Sequence, residues 1–171
     1  ILYYFDANDF LNCSAEITGA EENKNLKVVD GIIYTSSMKI LCYCPPSFSG
    51  SLIIPSTVET IDYYAFANCK YLTEITIPES VVKINNCAFY DCPGLKKIHS
   101  LDPKPHDVYY SNWDWIETGL FYNVDKKGCE LFIPSGSMIY YKNTVQWKDF
   151  FNITEYALNV NSDSIRIGFD N

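Results

Sequence analysis

Apolar positions in the middle of the chain repeat with a period of 23 residues. Blocks 52–74 and 75–97 align without gaps and carry the same residue at eight of their 23 positions. The eight pairs are Ile54/Ile77, Pro55/Pro78, Val58/Val81, Ile61/Ile84, Ala65/Ala88, Phe66/Phe89, Cys69/Cys92 and Leu72/Leu95. All except the proline pair are apolar or small, as stacked coils require, since each coil buries its inner face on its neighbours. The period therefore predicts a solenoid with these apolar pairs in one continuous core.

The plan of one coil is visible in the second copy. Residues 73–77 alternate polar and apolar side chains, which indicates a short, half-buried strand. Pro78 ends this strand, and Val81 and Ile84 then point back toward the core. Residues 88–89 are predicted to form a short helical turn. Each coil should therefore have a strand on one side and an irregular or 3₁₀ segment on the other.

A more divergent copy comes after the two matching blocks. Residues 121–134 repeat the segment 66–78 with one extra residue. Phe121 lies 32 residues after Phe89 rather than 23, so this coil carries a surplus of nine residues. The surplus falls within residues 102–115, which predicts a long loop at this coil.

The flanks have other patterns. Residues 29–34 and 38–43 are rich in β-forming residues and are joined by Thr35-Ser36-Ser37, which predicts a hairpin. Residues 136–143 predict a two-turn helix with Ser135 or Ser137 as its N-cap. Strands are expected at the segments 153–156 and 164–169.

No low-complexity linker divides the chain, so we expect a single domain over residues 1–171. The repeats and the hairpin occupy about residues 10–156, and residues 157–171 form a C-terminal extension. The chain begins at Ile1 rather than at Met, so we expect it to be a processed or trimmed part of a longer protein.

Composition and charge exclude several classes of protein. The chain is 47% hydrophobic and only 20% charged, so it forms a core and is not globally disordered. Its apolar runs are far shorter than the ~18 residues of a membrane helix. The net charge is −8, and Arg166 is the single arginine, which argues against binding to nucleic acid or to anionic membranes.

Seven cysteines leave at least one unpaired in a monomer. No C-x-x-C pair exists, so the strongest zinc and thioredoxin spacings are missing. Cys69 and Cys92 recur at one repeat position, which predicts reduced, buried thiols stacked on neighbouring coils. Cys42 and Cys44 are two residues apart on a strand and should point to one face, either free or paired with a distant cysteine.

Candidate chemistry is sparse. His99, Asp102, His106 and Asp107 are close in sequence but match no strong zinc spacing, so surface histidines beside a loop are the favoured interpretation. No motif places a base beside a nucleophilic cysteine, and the chain contains no G-x-S-x-G, P-loop or G-x-G-x-x-G motif. We expect no catalytic site, no metal and no cofactor.

The aromatic stretch after residue 108 is the most unusual feature of the sequence. Its rings are Tyr109, Tyr110, Trp113 and Trp115, followed by Phe121 and Tyr122. One interpretation is a long loop that packs its own rings onto the side of the solenoid. The other is an exposed aromatic platform for a protein or a glycan.

The repeat also predicts how the strands align across coils. Period-two alternation turns Ile75 and Ile77 inward and Glu74 and Thr76 outward. Shifting by one coil at a time gives an outer row of Ile53, Thr76, His99 and Phe132, beside a row of Glu74, Lys97 and Glu130. Stacked strands lie about 4.8 Å apart, so each charge meets an opposite one. We hypothesise that this strand face, or the aromatic stretch, is the binding surface.

The second repeat resembles the BspA-type leucine-rich repeats of bacterial surface proteins, whose pattern is I-P-x-S-V-x-x-I-x-x-x-A-F-x-x-C-x-x-L. It matches this pattern from Ile77 to Leu95. Residues 29–34 are similar to the V-D-G-V-L-Y insertion of that family, and residues 129–153 are similar to its usual C-terminal coil.

The resemblance implies an α/β leucine-rich-repeat solenoid of about four to five coils. It further implies short parallel strands, an irregular or 3₁₀ convex side, an N-terminal hairpin and a helical C-terminal cap. In function it implies a non-catalytic protein, extracellular or at the cell surface, that binds a protein ligand. A host matrix protein is one candidate ligand, because some relatives are adhesins. The alternatives are a structural spacer or capping module of a larger surface protein, and a carbohydrate-binding module.

Overall fold

The computed structural model describes residues 23–106 and 119–157. In chain order the elements are β1 (Leu26–Val29), β2 (Ile32–Thr35), β3 (Ile40–Tyr43), β4 (Ser49–Ile53), β5 (Thr60–Ile61), β6 (Tyr71–Ile77), β7 (Lys83–Ile84), β8 (Lys97–Ser100), β9 (Glu130–Pro134), α1 (Met138–Tyr141) and β10 (Asn152–Tyr156). β6 ends directly before Pro78, and β10 forms at the strand expected over 153–156. The predicted strand at 164–169 lies outside the described residues.

Two five-stranded sheets carry these strands. The first has the order β1-β2-β3-β5-β7, and the second has the order β10-β9-β8-β6-β4. All four pairings of the second sheet are parallel. Each of its strands belongs to a successive coil, which confirms a solenoid of the predicted length. The first sheet passes through the hairpin and then takes short strands from the next two coils.

The hairpin has one strand more than predicted. β2 and β3 pair antiparallel, as expected. However, β1 also pairs antiparallel with β2, so the run 29–34 is a turn followed by a strand and not a single strand. Asp30 and Gly31 have positive φ angles of 51° and 78°, the backbone that a two-residue hairpin turn requires.

The recurring apolar residues form the core, as predicted. Of the ten residues in the isoleucine, valine, phenylalanine and leucine pairs, nine are buried, and Ile84 is half-buried and packs against the same cluster. The Phe66 and Phe89 rings stack with centroids 5.0 Å apart, and Phe89 stacks on Phe121 at 5.4 Å. The rings keep this register because backbone hydrogen bonds join the turn segments of successive coils, Phe66 N to Ala88 O and Phe89 N to Leu120 O.

The recurring cysteines are free, buried thiols, as predicted. The Cys92 Sγ–H donates to the Phe66 carbonyl at 3.0 Å, and Cys69 Sγ–H donates to the Cys44 carbonyl at 3.5 Å. The thiol at this repeat position therefore satisfies a carbonyl of the preceding coil. Cys42 and Cys44 are also free, but they belong to separate hydrophobic clusters rather than to one face.

The part of each coil outside the second sheet is only partly irregular, because in two coils it also holds β5 or β7 of the first sheet. The helical turn predicted at 88–89 is not present. Cys87 and Asp91 on either side have left-handed backbone, with φ angles of 59° and 54°. Tyr64 and Asn68, one coil earlier, have φ angles of 56° and 62°. Left-handed residues interrupt a right-handed helix, so each segment is a series of tight turns.

The expected helical cap at the C-terminal end is not confirmed. The predicted two-turn helix at 136–143 is a single turn, α1, and Ser137 at its N-cap makes no side-chain capping hydrogen bond. Aromatic packing holds this coil instead. The rings of Trp147 and Phe150 both lie edge-on to Phe121, at 5.1 and 5.0 Å.

Candidate functional site

The parallel register of the second sheet assembles the predicted outer row. Ile53 pairs with Thr76, Thr76 pairs with His99, and His99 pairs with Phe132. These four residues, which we call the outer row, therefore lie side by side across four coils. Thr154 of β10 extends the row by one position beside Phe132.

The charged row has the predicted register, but the predicted ion pairs do not form. In the strand register, Glu74 lies beside Lys97, and Lys97 lies beside Glu130. Glu74, Lys97 and Glu130 make no salt bridge with one another, and the Glu74 carboxylate lies 3.0 Å from His99 Nε2 instead. Ser51 lies beside Glu74 and Asn152 lies beside Glu130, so five polar residues cross the sheet in line. Glu130 is exposed and Glu74 and Lys97 are half-buried, which keeps alternating charges accessible along a rigid sheet.

The four residues of the outer row differ in their exposure to solvent. Ile53 is 76% exposed, whereas Thr76, His99 and Phe132 are only 9%, 2% and 5% exposed. The expectation that the whole row forms a flat exposed surface is therefore wrong for three of its four residues. Part of the reason is packing along the row, because the His99 ring stacks on Phe132 with centroids 4.7 Å apart.

His99 is the ionisable member of the outer row. Its Nε2 lies 3.0 Å from Oε1 of Glu74 on the neighbouring coil. Burial lowers the pKa of His99, and the Glu74 carboxylate opposes this shift. The neutral ring is therefore the form present near pH 7, with Nε2–H as the donor to Glu74.

The structure gives no support to the candidate metal group. His106 Nε2 lies 3.6 Å from Oδ2 of Asp102, but His99 is engaged with Glu74, and Asp107 lies outside the described residues. Among residues 23–106 and 119–157, no three His, Cys, Asp or Glu side chains are grouped to hold a metal ion. Tyr109, Tyr110, Trp113 and Trp115 also lie outside the described residues, so their candidate role remains a prediction.

Three of the described thiols, those of Cys42, Cys92 and Cys129, are poorly suited to nucleophilic chemistry. A reactive cysteine requires a lowered pKa, because the thiolate is the nucleophile. Burial instead raises the pKa of Cys42 and of Cys129 to about 12, and it raises the pKa of Cys92 well above the usual value. These sulfurs are packing groups in the folded protein.

Sequence reasoning counted Tyr122 in the aromatic stretch but did not foresee that it joins two other tyrosines on the turn segments of the coils. Tyr64, Tyr90 and Tyr122 lie next to one another there, one on each of three successive coils. A signal was available for two of them, because Tyr90 and Tyr122 directly follow the aligned Phe89 and Phe121. Tyr64 precedes its own phenylalanine by two residues, so the alignment does not reveal it.

Comparison by sequence identifies the type of repeat. The family model described as "BspA type Leucine rich repeat region" matches residues 37–128, with six copies. A search of curated proteins found no match. Within the described residues, no helix has the length and apolar character needed to cross a bilayer.

Three solved structures are similar to the chain. A leucine-rich repeat protein from Eubacterium ventriosum is 22% identical, with a TM-score of 0.47, and the match covers 72% of this chain and 36% of that one. A leucine-rich cell surface protein from Faecalibacterium prausnitzii is 21% identical, with a TM-score of 0.47 and coverages of 77% and 34%. The pneumococcal vaccine antigen PcpA is 16% identical, with a TM-score of 0.35 and coverages of 79% and 48%. The matched region spans about a third of the first two structures.

Proposed function

We propose that this chain, which belongs to the BspA-type leucine-rich repeat family, is a non-catalytic binding module displayed at a bacterial cell surface. Its ligand in this proposal is a protein, with host matrix proteins as the first class to test. The binding surface is the exposed part of the second sheet together with the aromatic stretch that comes after β8.

The observation that carries the proposal is the charged row beside an exposed isoleucine. Lys97 lies between Glu74 and Glu130, and Ile53 is 76% exposed at the end of the adjacent row. A regular pattern of opposite charges favours a partner with the complementary pattern and rejects others. An exposed aliphatic side chain beside it offers area to bury.

Because Thr76, His99 and Phe132 are buried, we assign them a structural role rather than direct contact with a ligand. His99 and Phe132 support the sheet surface from within, so their substitution tests packing more than contact. Ile53 and Lys97 are the positions in the sheet that separate binding from stability.

A structural spacer is the second candidate, and one observation favours it. Four of the large apolar side chains exposed in the described part of the chain lie on the C-terminal coil: Ile139, Tyr140, Val145 and Phe151. A terminal coil usually has a polar outer face. Exposed apolar groups there suit a coil that packs against a further module.

The two functions separate in a binding experiment with purified fibronectin, fibrinogen, laminin and collagen on a sensor surface. A binding module should capture at least one of them, and Ile53→Asp or Lys97→Glu should weaken that capture about tenfold. Trp113→Ala tests the aromatic stretch in the same format. Lys142→Glu is the matched charge-reversal control, since Lys142 is exposed at the end of α1.

Each outcome decides between the candidates. Binding that none of the three substitutions changes, in variants with wild-type circular dichroism, would remove both proposed surfaces. A chain that binds none of the four matrix proteins would favour the spacer.

A further inference from the structure

The tyrosine strip, formed by Tyr64, Tyr90 and Tyr122, crosses three coils on the turn segments that precede β6, β8 and β9. The Tyr90 and Tyr122 rings are stacked, with centroids 4.9 Å apart and planes 8° from parallel. Tyr64 meets Tyr90 edge-on at 6.0 Å. Tyr122 is 46% exposed and stands at the C-terminal end of the strip. Part of its ring is therefore accessible to a ligand.

Polar side chains accompany these rings coil by coil. Asp91 comes directly after Tyr90 and Asn123 directly after Tyr122, both in left-handed backbone with φ angles of 54° and 58°. The Asn123 side-chain amide donates to Oδ1 of Asp91. Lys70 Nζ lies 3.8 Å from the other carboxylate oxygen of Asp91.

Within the described residues, this network leaves some hydrogen-bonding groups of Asn123 and Asp91 without a protein partner. An amide offers two N–H donors and an oxygen acceptor, and a carboxylate offers about four acceptor sites. One amide N–H and one carboxylate site are used between Asn123 and Asp91. The remaining groups of Asp91 and of Asn123, which directly follows Tyr122 in the chain, are donors and acceptors for a ligand.

We propose that the tyrosine strip is a second binding surface and that its ligand is a neutral glycan. The apolar face of a pyranose ring would stack on the accessible part of the Tyr122 ring, and its hydroxyl groups would exchange hydrogen bonds with Asn123 and Asp91. An aromatic wall with a few convergent polar groups is the usual composition of a small-ligand site. The proposal goes beyond protein binding at the strand face and uses none of its residues.

Charge selects the glycan class. The chain has a net charge of −8, and the carboxylate of Asp91 lies within the strip. An acidic glycan would be repelled by both, whereas an uncharged hexose accepts hydrogen bonds from the amide and donates to the carboxylate. Apart from Tyr122, none of the exposed large apolar residues in the described ranges lies on the turn segments at 62–70, 85–95 and 119–129. The strip thus lacks the apolar surroundings typical of a protein hot spot.

The test uses the full chain and immobilised neutral oligosaccharides built from glucose, galactose, mannose or N-acetylglucosamine, with heparin as an acidic comparison. Wild type should bind at least one neutral oligosaccharide, and Tyr122→Ala should weaken that binding about tenfold or more. Tyr122→Phe, which keeps the ring, should stay within about twofold. Tyr71→Ala is the matched control, because Tyr71 is 64% exposed at the start of β6.

Three results would overturn the proposal: wild type that binds no neutral member of the panel, heparin bound more tightly than every neutral member, or Tyr122→Ala binding that equals wild type in a folded variant. Ile53→Asp should leave glycan binding unchanged while it weakens matrix-protein capture. Failure at one surface is thereby distinguishable from failure at the other.

Discussion

Phe66, Phe89 and Phe121 stack through the centre of the protein, and each ring occupies the same position in its coil. Phe89 has a phenylalanine on both faces and is fully buried. A ring held on both sides by rigid coils leaves a cavity when it is removed, because neighbouring coils are tied by backbone hydrogen bonds and cannot collapse into the space.

Phe89→Ala should therefore lower the free energy of unfolding by about 3–5 kcal/mol. Urea unfolding followed by circular dichroism measures this change. Phe151→Ala is the control, because Phe151 is 67% exposed, and it should cost less than about 1 kcal/mol. Equal costs for the two substitutions would contradict the central place of the ring column.

His99 should make stability depend on pH. Burial lowers its pKa in the folded state, while the unfolded chain keeps a value near 6.5. The unfolded chain therefore takes up the proton first, and stability falls as the pH drops below about 6.5. The charged groups that act on the ring are Glu74, Lys97 and Glu130, and the two carboxylates reduce the effect without reversing it.

Urea midpoints at pH 7.5 and pH 5.5 test this for wild type, for His99→Gln and for His106→Gln. His99→Gln should lose less stability between the two pH values than wild type does, because it removes the titrating ring. His106→Gln is the comparison variant, because it makes the same substitution at the other histidine of the chain and leaves the His99 ring in place. A loss in His99→Gln as large as in wild type would contradict the assignment.

At the scale of elements, the turn before Leu95 is fixed by a close approach between coils. A Cβ added to Gly94 would overlap the Lys70 carbonyl oxygen and crowd the Leu72 carbonyl oxygen, both of which are backbone atoms. Backbone joined to a neighbouring coil cannot move aside cheaply.

Gly94→Ala should therefore destabilise the protein by about 1–3 kcal/mol, measured as a shift of the thermal or urea midpoint. Gly128→Ala is a matched control, since the atoms that its Cβ would meet belong to the side chain of Asp125, which rotates more easily. A smaller cost at Gly94 than at Gly128 would show that the coils do not approach there as described.

Across the whole molecule, one hydrophobic cluster extends from Ile32 in the hairpin to Phe150 in the last coil. Neighbouring coils share this cluster, so unfolding one exposes the face of the next. We expect a single cooperative transition in urea, with coincident curves from far-ultraviolet circular dichroism and tryptophan fluorescence. Curves with separate midpoints would show that the coils unfold in independent groups.

The sequence by itself determined the repeat and the contacts that its period implies. Identity at 23-residue spacing between Ile54 and Ile77, or between Phe66 and Phe89, specified which side chains are buried and which strands stack. The same period predicted that Glu74 pairs with Lys97, and the alignment of Pro78 with Pro134 placed Glu130 beside Lys97 across the longer coil. Such inferences succeed because a solenoid turns a one-dimensional spacing into contacts between neighbours.

Only the tertiary structure decided how far each outward-facing side chain is exposed to solvent and which groups it contacts. Thr76 and His99 alternate correctly for exposure, yet packing buries them, and burial depends on groups distant in sequence. The meeting of Tyr64 with Tyr90 crosses the repeat register, and α1 is shortened to one turn in a coil packed by Trp147 and Phe150. The local sequence pattern predicts which way a side chain points. Its contacts depend on how the complete coils pack against one another.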